Sequence, residues 1–149
     1  MMSQPPPRQP SGPLRAAANA VECANLTLLF GALRAALTEA IARTGGRALA
    51  EEFDARLEGY AQEHAWMALT GLPDLQALAR VVPEVDARML QTVYLDYSAC
   101  AQQMAGRILG EHLLQTTLQE ACMRLPPGLA ELNARSPMIP LTGATGRGP

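Results

Sequence analysis

Apolar side chains recur along this chain at steps of three and four residues and nowhere in sustained alternation, so the pattern predicts helices and no sheet. Leu26, Leu29, Phe30, Leu33, Leu37 and Ile41 form the first stripe, on a helix expected from about Ala17 or Asn25 to Thr44, where Gly45-Gly46 stops it. A second helix is expected from Arg47 to about Leu69. It would bury Leu49, Phe53, Leu57, Tyr60, Trp66 and Met67 and turn Glu51, Glu52, Arg56 and Glu63 to water. Pro73-Asp74 then opens a short helix through Val81, because proline suits a first helical turn and an acid there complements the helix dipole. From Glu84 to Leu125 the pattern is helical throughout. As one rod this segment would measure about 60 Å, twice the width of a small domain.

An internal match bears on that length. At an offset of 60 residues, Gly46-Arg47-Ala48-Leu49-Ala50-Glu51 falls on Gly106-Arg107-Ile108-Leu109-Gly110-Glu111, and Phe30, Leu33, Leu37 and Ile41 fall on Leu90, Val93, Tyr97 and Ala101. If the match is a duplication, Gly106 turns or kinks the chain as Gly45-Gly46 does. The expected fold is then all-α: a four-helix bundle of two hairpins, residues 17–69 and 84–125, joined by the short connecting helix. If Gly106 does not turn, three helices remain, and the long C-terminal one pairs with its counterpart in a dimer.

The bundle domain is expected over residues 17–125. Residues 1–16 read as a disordered, Pro-rich tail, with five prolines in the first thirteen positions. Residues 126–149 read as mostly extended, with one helical turn around Leu129–Asn133 before Pro137 and Pro140 prevent more. Met138, Ile139 and Leu141 are nevertheless too apolar for a linker. They are expected to dock on the bundle or to form a short motif read by a partner.

Composition narrows the chemistry. Aromatic residues make up only 4% against 48% apolar, so aliphatic side chains must fill the core. The 12 basic residues are all arginine, which excludes a lysine Schiff base and a phosphate loop ending in Gly-Lys-Ser/Thr. A net charge of −2 with scattered arginines gives nucleic-acid binding no electrostatic support. Cys23, Cys100 and Cys122 form no paired motif and read as reduced thiols. The most apolar run, Leu26 to Ala42, is interrupted by Arg34 and Glu39, so no membrane span and a cytoplasmic location are expected.

Few residues suggest a site. His64, beside Trp66 near a helix end, suits a protonated imidazole or an aromatic-flanked ligand contact. His112 is the other imidazole, on the last long helix, where signalling bundles carry phosphoryl-accepting histidines; the Leu113-Leu114-Gln115-Thr116 that follows is unlike the usual acceptor settings. Tyr94, Asp96 and Tyr97 fall within one turn and either line a polar pocket or interface or sit at the rim with hydroxyls in water. Glu63-His64 and Glu111-His112 are adjacent pairs whose side chains diverge by about 100° on a helix, so no metal site and no cofactor are expected. The leading expectation is a non-enzymatic helical interaction or regulatory module, homodimeric or bound to another protein. The alternative is a ligand-sensing or phosphoryl-accepting bundle using His64 or His112.

Overall fold

Helices account for nearly all of the structure, a computed structural model that describes the backbone of residues 12–63 and 86–140 and the side chains of 17–59 and 86–140. The order is α1 (Gly12–Gly45), α2 (Arg47–Glu63), α3 (Ala87–Leu109), α4 (Glu111–Met123) and α5 (Pro127–Arg135), with no strand among the described residues. The expected short helix through Val81, and the end of the second helix beyond Glu63, lie outside the described residues.

α1 begins earlier than the sequence suggests. Pro13 sits in its first turn, where the missing N–H has no intrahelical role, so proline starts this helix rather than preventing it. Its inner stripe is the one expected: Leu26, Leu29, Phe30, Leu33, Leu37 and Ile41 are all buried. At Gly46 the backbone takes φ +98°, a region that any side chain would strain, and the chain reverses. Arg34 meets Asp54 at 2.9 Å and Glu58 at 3.2 Å, residues at comparable distances either side of Gly46, so α1 and α2 form an antiparallel hairpin.

The second hairpin turns at Gly110, not at Gly106. Gly110 has φ +87° and separates α3 from α4, while Gly106 is helical. A side chain on Gly106 would come to 3.2 Å from Leu114 Cδ2, so this glycine lets α4 fold back closely along α3. The two turn glycines are thus 64 residues apart. The 60-residue alignment matches the buried faces of α1 and α3, since Leu90, Val93, Tyr97 and Ala101 are buried like their counterparts, but it does not superimpose the turns.

α1 and α3 lie side by side in the same direction. Asn19 Oδ1 accepts from the Ala87 N–H at 2.8 Å, and farther along Thr27 meets Tyr94. Asp86 precedes α3 without capping it through its side chain, so Asn19 of α1 supplies that cap from across the interface. α1 packs against α2, α3, α4 and α5 and is the central element.

The C-terminal segment differs most from expectation. Instead of a single turn, Pro127–Arg135 forms a helix of nine residues, again opened by proline, and residues 136–140 return onto the bundle. Met138 and Ile139 are buried in the common core.

Candidate interaction surface

The two tyrosines among the candidate site residues are turned inward. Tyr94 and Tyr97 are 1% and 0% exposed, which places them in the core and not at its rim. Phe30 stacks on Tyr94 at a centroid distance of 5.1 Å and tilts against Tyr97 at 5.0 Å, so the three rings join α1 to α3. The Tyr97 hydroxyl donates to the Leu57 carbonyl of α2 at 2.7 Å, and the Tyr94 hydroxyl pairs with Thr27 at 3.0 Å. Burial raises the pKa of both phenols, because the charged form would lose its hydration. Asp96 is exposed on another side of α3, so the three residues do not converge on a pocket.

His112 is exposed in the first turn of α4, and its side chain has no hydrogen bond or ion pair among the described residues. His64, Trp66 and Leu141 lie outside the described residues. Among the described residues no three His, Cys, Asp or Glu side chains come together in a way that could hold a metal ion.

Sequence reasoning missed the clamp on the C-terminal segment. Asn133 Oδ1 accepts from the backbone N–H groups of Met138 and Ile139, both at 2.8 Å, while its Nδ2 donates to the Ile139 carbonyl at 2.8 Å. Ser98 and Gln102 of α3 donate to the Met138 carbonyl, each at 3.2 Å, and Gln91 Nε2 bonds Ser136 Oγ. Cys122 borders the same segment, its Sγ 3.6 Å from the Pro140 carbonyl, and burial raises its thiol pKa. These groups satisfy backbone that is neither helix nor strand, so the segment is a structural closure of the bundle.

Arg34 is the main polar hub of the first hairpin. Burial works against its charge, but Asp54 and Glu58 more than compensate and raise its pKa further. On the other flank of α1, Glu39 pairs with Arg43 at 3.1 Å. Between α2 and α3 lies a groove of about 190 Å³ floored by Leu49, Phe53, Met104 and Ile108 and rimmed by Glu52, Arg56 and Arg107. Arg56 is already paired with Glu52 at 2.9 Å, so this rim presents few free polar groups.

The outer side of α1 is the most unusual surface. Ala17, Val21, Ala24, Leu28, Gly31 and Ala35 are all exposed, with Val21 at 61% and Leu28 at 59%. By length and composition Ala17–Gly45 is apolar enough to cross a membrane, yet only 33% of its most apolar stretch is buried within the molecule. Arg34 and Glu39 break the run of apolar residues without lowering its average below that of a spanning helix, so no uninterrupted apolar stretch marks it in the sequence. The signal was present as a second stripe, at three- and four-residue steps, opposite the one that fills the core. No family model, curated protein or solved structure matches the chain.

Proposed function

We propose that the protein is a non-enzymatic helical interaction module of the cytoplasm, homodimeric and regulatory in character, that works through the outer face of α1. The observation that carries this reading is a helix apolar on both sides and, among the described residues, packed on one. A helix with apolar side chains all round is stable in water when both sides are covered, and Val21 and Leu28 leave contiguous apolar area on the side that no other described residue covers. The polar groups of the interior support the same reading. Tyr97, Asn133, Ser98 and Gln102 all bond backbone of their own chain and so serve the fold.

Sedimentation equilibrium on the full chain tests the proposal. A mass above 15.9 kDa that rises with concentration, or stoichiometric retention of a helical partner, is the expected result. A strictly monomeric protein that retains no partner would refute it.

A further inference from the structure

We infer that the outer face of α1 is a parallel, two-fold seam between two copies of this chain. The inference rests on the interaction-module reading and specifies both its surface and its partner. The outer stripe continues beyond Ala35 through the half-buried Thr38 and Ala42, with steps that alternate four and three over the whole stretch from Ala17. That average of 3.5 residues is the repeat that keeps two helices in contact along their length. Val21, Leu28, Ala35 and Ala42 take one seam position of each heptad, and the smaller Ala17, Ala24, Gly31 and Thr38 take the other.

Two further observations select a second copy in the same direction. The first is charge. In this register Arg34 and Glu39 flank the seam on opposite sides, at the two positions that pair across a parallel dimer five residues apart. Arg34 is held with Asp54 and Glu58, a cluster with excess negative charge, and Glu39 is held with Arg43. A parallel copy brings the partner's Glu39 to Arg34 and the partner's Arg43 to the acidic pair, and the two-fold axis repeats the match on the other side. An antiparallel copy aligns each flank with its own kind and sets one negatively charged cluster against the other.

The second observation is Thr38. Its Oγ1 is buried without a hydrogen-bond partner among the described residues, next to Gly31, Ala35 and Ala42 on the seam. In a parallel pair, residues at this heptad position face their own counterparts across the axis. The partner's Thr38 then supplies both a donor and an acceptor after rotation about the side-chain bond.

The test uses the full chain. Sedimentation equilibrium at about 0.1 mM, well above a micromolar dissociation constant, should give twice 15.9 kDa. The variants Leu28→Glu and Ala35→Glu change residues that are exposed in the single chain, so each should keep its helical circular dichroism and fall to the monomer mass. Ala24→Cys should form a disulfide-linked dimer under mild oxidation, because a parallel seam brings this position onto itself; the unsubstituted protein, with its three native cysteines, is the control. A dimer that survives both glutamate variants overturns the seam and leaves the interaction-module reading standing. Dissociation by glutamate without crosslinking of Ala24→Cys overturns the parallel arrangement. A monomer that sediments with phosphatidylcholine vesicles, and is released by Leu28→Glu, overturns the seam in favour of a lipid surface. A monomer with no partner of any kind defeats both readings.

Discussion

Asn133 shows how much of this fold depends on single polar side chains. One amide satisfies three backbone groups of a segment that has no secondary structure of its own, and it does so in the core. Asn133→Ala leaves the Met138 and Ile139 N–H groups buried without their partner, and the Ile139 carbonyl with only the Cys122 thiol at 3.9 Å, which should lower stability by about 2 to 4 kcal/mol. Urea denaturation measures the loss, and His112→Ala, on an exposed surface, should stay within about 0.5 kcal/mol of the parent. Nothing in the sequence distinguishes this asparagine, because its partners lie five and six residues ahead in a stretch without periodicity. Tyr94 and Tyr97 were visible as unusual because aromatic residues are so few. Tyr97 also lies on the stripe Leu90, Val93 and Ala101, a pattern that marks a core position more firmly than the nearby Asp96 marks a site.

Glycines end α1 and α3, and the two in the second hairpin have different tasks. Gly110 holds a backbone conformation that an L side chain adopts only with strain, so Gly110→Ala should cost about 1 to 2 kcal/mol. Gly106 is helical. There an alanine gains helix propensity and needs only a small shift of Leu114, so Gly106→Ala should cost less than Gly110→Ala in thermal or urea unfolding. The reverse order would place the turn at Gly106 after all. The all-helical character, the first hairpin and the buried stripes were legible because they follow from periodicity. The position of the second turn was not, because a glycine needed for a turn and one needed for close packing look alike in sequence. At the C-terminus, Met138 and Ile139 contribute core that no earlier element supplies. Removing residues 136–149 should lower stability by roughly 3 to 6 kcal/mol, from the burial of those two side chains alone. An unchanged melting midpoint would show the segment to be undocked.

Alkaline pH should loosen the whole molecule. The folded pKa values of Tyr94 and Tyr97 are raised by burial, and that of Cys23 by burial first and then by the charge of Asp86. Below the unfolded values, about 8.5 for a thiol and 10 for a phenol, these groups are protonated in both states and the stability is fully present. Above them the unfolded chain binds fewer protons than the folded one, so stability falls as pH rises toward the folded values. The urea midpoint should therefore be steady to about pH 8 and decline beyond it. The tyrosinate absorbance of these two residues should appear together with unfolding rather than before it. A midpoint that holds through pH 11 would contradict the burial of both rings.

The central place of α1 also sets an order of events during synthesis. Its inner stripe is covered by α3, α4 and α5, and the last of the described core residues to join it are Met138 and Ile139, about a hundred positions later. At ~5 to 20 residues per second, the ribosome needs roughly 5 to 20 s to deliver them. For that interval the inner stripe of α1 lacks the last part of its cover, even after α2 and α3 have been made. The nascent chain cannot close its core on the first hairpin alone, and closure waits for the segment that Asn133 clamps.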